Sequence, residues 1–390
     1  MKFIFVNIMM GMYRGGGENY DLNLSRKLAS KGHEIEFYFL RPLLRGASLK
    51  LPEYCTAQPV RAPWLYLWTQ RLQGLPLIGR IRGLRGFPRA VGQAFFELHV
   101  LFRLWQRRRE AFVVHICGLS FLSMLATKLL DNRVFVRFPG PPSFRIHLWC
   151  LKHTYAVIAN GDAFQCIQRL APEANLIRLD VGVDHSLFQR TGQRDSARKE
   201  LGLPKEKLLA LFVGRFVPVK NVQMLIRTMV RVATIRADID LVLVGTGPER
   251  AGLEQAVLDQ GLQARIHFLN EARGERLRVC YTAADIFVLS SQYDNFPNVV
   301  LEAMSMELPV IATKVGGVPS QVYTGQTGYL VEPNDDEDMA LQIVAMANKP
   351  EIRLALGKRA AAIIRDQYDW GRTADHFIEC ASNSIEAGDA

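Results

Sequence analysis

Two carboxylates, Asp294 and Glu302, stand eight residues apart in the stretch SSQYDNFPNVVLEAMSMELPVIA. Between them, Asn295-Phe296-Pro297-Asn298 reads as a turn opening a helix that ends near Met306, with Pro297 in the first helical turn. Glu302 then lies about five residues into the helix, roughly 7–8 Å along its axis. An acid on each side of a helix start, with amides between them, can hold hydroxyls at both ends of a ligand and phosphate in the middle. Ribose hydroxyls, a diphosphate and hexose hydroxyls follow one another in that order in a nucleotide sugar. The plainer reading is an acid favoured by the helix dipole and an ordinary helical Glu. Glu302 speaks against it, because Val299, Val300, Leu301, Ala303 and Met304 surround it and an unpaired acid among them is costly.

Arg215 and Lys220 lie five positions apart in VGRFVPVKN, just past an apolar run that reads as a strand. Two cations in such a loop suit a diphosphate, the alternative being a pair of solvated surface charges. Gly15, Gly16 and Gly17 follow the first strand, where they let a ligand approach the backbone at a helix N-terminus. A second glycine turn, GTGPER, begins at Gly245. Neither loop completes the G-x-G-x-x-G of a dinucleotide site, and a tight turn is the plain alternative for both. Asp238 and Asp240 imitate a metal-binding D-x-D but lead into an apolar strand, and Asp335 to Asp338 open a helix, where acids belong. His33, His115 and His267 sit in or beside strands and read as core residues.

These residues need elements to position them. FIFVNIMM, a glycine loop, NYDLNLSRKLASKG and HEIEFYFL form a β-α-β unit in which Gly32 caps the helix. The alternation resumes from FVVHICG, with helices near SFLSMLATKLL and FRIHLWCLKHT, and ends in NLIRLDVG. It starts again at LLALFVGRF and runs through DIFVLSS, PVIATKV and a turn at TGQTGYLV. The expected fold class is α/β, with two doubly wound Rossmann-like domains over residues 1–188 and 195–365. A helical tail over 366–390 packs back on the first. With 390 residues, 49% of them apolar, the chain can fill two cores. Six scattered cysteines (Cys55, Cys117, Cys150, Cys166, Cys280, Cys380) without a C-x-x-C suit a reducing cytosol. The apolar N-terminus is too short for a signal peptide and reads as a strand, and no window is long enough to span a bilayer.

Taken together, the motifs resemble the retaining nucleotide-sugar glycosyltransferases of the GT-B fold, group 1 or family 4 type. VGRFVPVKN is similar to their G-R-x-x-x-x-K element, LVLVGTGPE to their G-x-G-P turn, and SSQYDNFPNVVLEAMSMELPVIATKVGG to their paired-acid signature. TGYLVEPND, GGGENYDLNLSRKLASKGHEIEF and DVGVDHSLF resemble further family elements, the last with Val181 in an Asn position. The likeness spans about four fifths of the chain. It implies two domains facing across a cleft, with Arg215 and Lys220 clamping the donor pyrophosphate, Glu302 on the ribose and Asp294 on the sugar. Arg215, Lys220 and Asp294 would be the catalytic set. Gly214, Gly245 and the backbone of Asn295, Phe296, Pro297 and Asn298 would line the donor, with Gly16 and Gly17 bordering distal phosphate and acceptor. The bond would form with retention, assisted by the leaving phosphate and without a metal or other cofactor. Three departures stand out: Asp294 is one methylene short of the usual Glu. Arg137-Phe138-Pro139-Gly140 lacks the family's histidine, so that Arg137 or His115 would have to serve. Glu307 replaces a helix-ending glycine.

Of the net charge of +10, +8 falls in residues 61–110, which hold ten arginines against Glu97 and Glu110. Trp64, Trp68 and Trp105 lie in the same block. Arginine mixed with Trp, Phe and Leu is the composition of a segment lying on an anionic membrane surface, the alternatives being a solvated helix pair or an RNA contact. Because this insert belongs to the first, acceptor-side domain, a glycan or lipid-linked acceptor is expected. The expected place is cytoplasmic, peripheral on the inner face of the cytoplasmic membrane, in envelope polysaccharide or lipopolysaccharide synthesis, with no nucleic-acid partner. Two rivals are a catalytically silent, glycosyltransferase-like binding subunit and a nicotinamide-dependent oxidoreductase.

Overall fold

A computed structural model of the chain describes residues 1–8, 10, 16–41, 51–61, 87–118, 125–126, 128–130, 133–138, 140–141, 151, 154–190 and 192–388. The chain divides into two units. Met1–Asp180 and Trp370–Ala390 form the first, and Val181–Asp369 the second. The chain passes between them twice, at Asp180/Val181 and at Asp369/Trp370.

In the first unit, strands β1 (Lys2–Val6), β2 (Glu34–Arg41), β3 (Cys55–Arg61), β4 (Val113–Cys117), β5 (Val134–Arg137), β6 (Ala156–Ala159) and β7 (Leu176–Arg178) form one parallel sheet in the order β3-β2-β1-β4-β5-β6-β7. The middle strands are almost continuously apolar because both faces are covered: Phe3, Ile4, Phe5 and Val6 of β1 and Val134 to Val136 of β5 are all buried. Strand β3 was not anticipated from the sequence. Its run CTAQPVR is half polar and carries Pro59, which lacks a backbone donor, and only an edge position tolerates that. The first helix, Gly16–Ser30, ends as expected at Gly32, whose φ of +84° is left-handed. The final helix, Trp370–Gly388, packs in this unit: the Phe377 ring meets Phe3, Phe135 and His115, and Trp370 meets Tyr20.

The second unit repeats the plan with β8 (Leu208–Val213), β9 (Ile239–Val244), β10 (Ile266–Leu269), β11 (Ile286–Leu289), β12 (Val310–Thr313) and β13 (Gly328–Val331), in the order β10-β9-β8-β11-β12-β13. The segment TGYLV, read from sequence as a turn, supplies the edge strand β13, whose register pairs Val310 with Gly328. Each sheet starts in its middle and winds outward in both directions, leaving a switch point between β1 and β4 in one and between β8 and β11 in the other. Crevices at the carboxyl ends of strands open at such points. The expected helices near 120–130 and 144–154 fall largely outside the described residues, as do residues 62–86 of the basic insert.

Candidate active site

Arg215 and Lys220 leave the carboxyl end of β8, and Asp294 leaves the carboxyl end of β11, so the switch point of the second unit brings together three residues taken from two motifs. Gly214 directly follows β8, its amide donating to Val244 O at 3.0 Å. The GTGP turn is fitted tightly against this loop. A Cβ on Gly245 would come within 1.9 Å of Gly214 O, and one on Gly247 within 2.3 Å of Phe216 O. Gly245 thus acts through backbone packing that shapes the loop carrying Arg215. Arg215 is exposed, while Lys220 closes a short 3-10 turn over Pro218–Lys220. Asn221 follows with φ 47°, a left-handed position that Asn accepts more readily than most residues, and its amide donates to the Asn334 side chain at 2.9 Å.

Lys220 does not stand open. Its ammonium donates to both carboxylate oxygens of Asp294, at 2.6 and 2.8 Å. The backbones on both sides are tied down. Ser290 Oγ donates to Lys220 O at 3.0 Å, Gln292 N to Val219 O at 2.8 Å, and Gly317 N to Asp294 O at 3.0 Å.

The second acid lies where the spacing put it, but the helix starts one residue later than expected. Pro297 is the N-cap, with ψ 115°, and the helix runs Asn298–Ser305. The Phe296 ring turns inward, 5.9 Å from the Tyr368 ring, so at this position only the backbone can face a ligand. Glu302 is the fifth helical residue and keeps part of its surface in solvent. Tyr281 donates to Glu302 Oε2 at 2.9 Å, and Phe188 packs edge-on against the Tyr281 ring. Burial pushes the Glu302 carboxyl up to about 7, with the Tyr281 hydrogen bond pulling the other way. Tyr281 was missed in sequence because it sits 21 residues upstream in the unremarkable helix Gly274–Ala283.

In the first unit the counterpart edge holds a buried polar cluster. Asn7, just past β1, donates to Asp21 Oδ2 at 2.7 Å, and Arg137, ending β5, lies 3.7 Å from Asp21 Oδ1. Arg137 also donates to Gly17 O at 3.2 Å and stacks 3.8 Å from the centre of the Tyr20 ring. A Cβ on Gly17 would touch Arg137 Nη1 and Cys117 Sγ at 3.7 and 3.8 Å. Gly16 opens the helix, Gly15 and Pro139 lie outside the described residues, and His115 is 1% exposed in the sheet core. Arg137 therefore faces its own unit's interior. Burial raises Asp21 to about 6, against Arg137 and Asn7, and lowers His115 to about 3. Asp21 went unnoticed in sequence because a single helical Asp carries no motif.

The two acidic motifs set aside from sequence are structural. Asp240 is buried between Arg265 at 3.1 Å and His267 at 2.9 Å, and Asp238 pairs with Arg236 at 2.6 Å. Asp335 caps its helix by accepting from Asp338 N. Among the described residues, no group of three or more His, Cys, Asp or Glu is arranged to hold a metal ion.

Residues 193–362 match the model of the family described as glycosyl transferases group 1. The second unit resembles that family. Among similar proteins is a D-inositol 3-phosphate glycosyltransferase from Saccharomonospora viridis, 34% identical over 228 residues, or 56% of this chain and 52% of that protein. The chain thus spans about half the length of the curated relatives it matches. Solved structures align over nearly the whole chain. Sucrose-phosphate synthase from Thermosynechococcus elongatus gives a TM-score of 0.77 at 21% identity, covering 99% of each chain. The Anabaena protein Alr3699/HepE in complex with UDP gives 0.77 at 18%, covering 98% of this chain and 100% of that one. The fold is GT-B, built from two Rossmann-like α/β units.

Proposed function

We propose that the protein is a retaining glycosyltransferase that moves a hexose-type sugar from a nucleotide-diphosphate donor to a glycan or lipid-linked acceptor in envelope polysaccharide synthesis. The observation that carries this reading is the placement of Arg215, Lys220 and Asp294 at the switch point of the second unit. Glu302 stands eight residues further on, and the unit matches the group 1 glycosyl transferases. In this reading Glu302 takes the ribose hydroxyls, held in place by Tyr281. Arg215 and Lys220 neutralise the pyrophosphate as it leaves, and Asp294 orients the sugar. The backbone of Asn295, Pro297 and Asn298, with Gly214, lines the donor, while Gly16 and Gly17 border the acceptor. Two cations and helix-start amides supply the charge that a divalent metal supplies in other transferases, so the reaction proceeds without one.

The same reading places the protein on the cytoplasmic face of an anionic membrane through residues 61–110. Support comes from the helix Phe87–Gln106, which buries Phe96, Val100, Leu101 and Leu104 but leaves Phe95, Leu98, Phe102 and Trp105 exposed on its other side, with Arg108 stacked on Trp105. No described helix is long and apolar enough to cross a membrane.

The test is a screen of UDP-, GDP- and ADP-sugars, following release of the nucleoside diphosphate and the anomeric configuration of the product. Retention with one donor supports the proposal; inversion, or no turnover with any donor, removes it. The binding-subunit alternative draws on the closed Lys220–Asp294 pair and on the inward-facing Arg137. Slow donor hydrolysis by the purified protein separates an enzyme from a silent relative.

A further inference from the structure

We infer that Asp294 acts as an internal substitute for the donor's diphosphate, holding Lys220 when the site is empty and retaking it when the product nucleotide leaves. The inference rests on the donor site proposed above and deepens it, because it makes Asp294 a determinant of selectivity between nucleotide sugar and nucleoside diphosphate.

The pair is two-pronged, 2.6 and 2.8 Å from one ammonium to both carboxylate oxygens, and the two side chains are only 17% and 15% exposed. An ammonium has three donors, so the carboxylate occupies two of them and leaves one. A phosphate oxygen pair that needs Lys220 must therefore displace Asp294. The main chains cannot move apart to make room. Lys220 O is held by Ser290 Oγ and Asp294 O by Gly317 N. A Cβ on Gly316 would lie 2.0 Å from that same Asp294 carbonyl, so the KVGG loop is seated directly on it. Only the side chains can exchange partners.

The exchange has different consequences for two ligands. A nucleoside diphosphate that takes Lys220 leaves the Asp294 carboxylate without its two Lys220 hydrogen bonds and beside added negative charge. A nucleotide sugar makes the same demand but brings hydroxyl groups that can donate to the released carboxylate. Asp294 therefore weakens the product more than the donor. Its return to Lys220 after transfer favours departure of the diphosphate, the step that is slow in many transfer enzymes. The short reach of Asp suits this role, since the fixed backbone leaves its carboxyl few staggered positions, one of which lies on Lys220.

The experiment measures binding of UDP, GDP and ADP, and of UDP-glucose, GDP-mannose and ADP-glucose, by calorimetry. It compares the native protein, Asp294→Asn, Asp294→Ser, Lys220→Ala and the double variant Lys220→Ala/Asp294→Asn. Each Asp294 variant is expected to bind the accepted diphosphate on the order of tenfold tighter than the native protein, with a smaller gain or a loss for the matching nucleotide sugar. The gain should vanish in the Lys220→Ala background. Misfolding cannot imitate it, because a damaged site loses affinity. A diphosphate affinity that is unchanged or weaker in both Asp294 variants overturns the inference. A gain of the same size without Lys220 also overturns it, since that is the general field of a removed charge. If no nucleotide binds the native protein or any variant, the donor reading itself fails, and the inference fails with it.

Discussion

Glu302 and Lys220 carry opposite charges in the proposed donor site and face opposite situations. Glu302 is crowded by protein, and burial pushes its carboxyl up to about 7 against the lowering effect of the hydrogen bond from Tyr281. For an acid raised in the folded state, the folded protein holds the extra proton between the unfolded value and about 7. Its contribution to stability is therefore present at low pH and is lost as pH rises through that window. Ribose hydroxyls donate best to the ionised form, so nucleotide affinity should rise with pH through about 7. Glu302→Gln should bind nucleotide and nucleotide sugar more weakly and without this pH dependence. Titrations by calorimetry at pH 6, 7 and 8 check both, and a parallel pH profile in the variant would remove Glu302 from the ribose site. For the cations, a hydrogen bond between charged groups contributes about 1.5–3 kcal/mol. Arg215→Ala and Lys220→Ala should each lower turnover at least about tenfold while the circular dichroism spectrum stays native. Near-native turnover in either would take that residue out of the pyrophosphate clamp.

Two elements carry departures from regular structure that can be tested by themselves. Two residues past the helix Asn298–Ser305 stands Glu307, which has a φ of 58° and whose carbonyl lies against Gly357. A Cβ on Gly357 would approach that carbonyl to 2.0 Å. A side chain in the left-handed region costs about 1–2 kcal/mol, and glycine gives part of this back through a looser unfolded chain. Glu307→Gly should therefore stabilise the protein by about 0.5–1 kcal/mol, read from the urea midpoint at unchanged m-value. The helix Phe87–Gln106 has apolar residues on two sides, and the exposed set, at positions 95, 98, 102 and 105, follows helical spacing. Arginines near an anionic surface contribute about 1 kcal/mol each. The protein should therefore sediment with vesicles containing anionic lipid at low salt and come off near 1 M salt, where screening reaches ~3 Å. Leu98→Ser/Phe102→Ser, both at exposed positions, should weaken sedimentation and leave donor binding unchanged. Equal partitioning to neutral and anionic vesicles would favour a solvated helix instead.

At the scale of the whole molecule, the proposed chemistry needs no divalent ion, because in that reading Arg215, Lys220 and a helix start meet the diphosphate. Turnover should survive excess EDTA. Loss on chelation, restored by Mn²⁺ or Mg²⁺, would require a metal site that the Arg265–Asp240–His267 cluster does not offer in its present pairing. The chain's two passages between units also set which residues each unit can use. The last helix completes the first unit's core through Phe377 and Trp370 although it follows the whole second unit in sequence.

The two doubly wound α/β series and most of their strands were legible in the amino-acid sequence, and so were the candidate residues at the strand ends of the second unit. Each depends on short-range signals: apolar runs for buried parallel strands, a Gly for a left-handed cap, acids and cations at fixed offsets from a strand end. Two of the four edge strands were not legible. β3 and β13 have one partner each, so their composition is relaxed enough to hold Pro59 or to resemble a turn. Pairings between distant residues were equally hidden. That Lys220 meets Asp294 across 74 positions, Tyr281 meets Glu302 across 21, and Arg137 meets Gly17 across 120 follows from which strand ends the sheet order makes neighbours. The sequence alone determined which groups were available for chemistry. Only the tertiary structure decided which of them hold one another when the site is empty, because a charge taken from water accepts whichever partner the fold brings within reach.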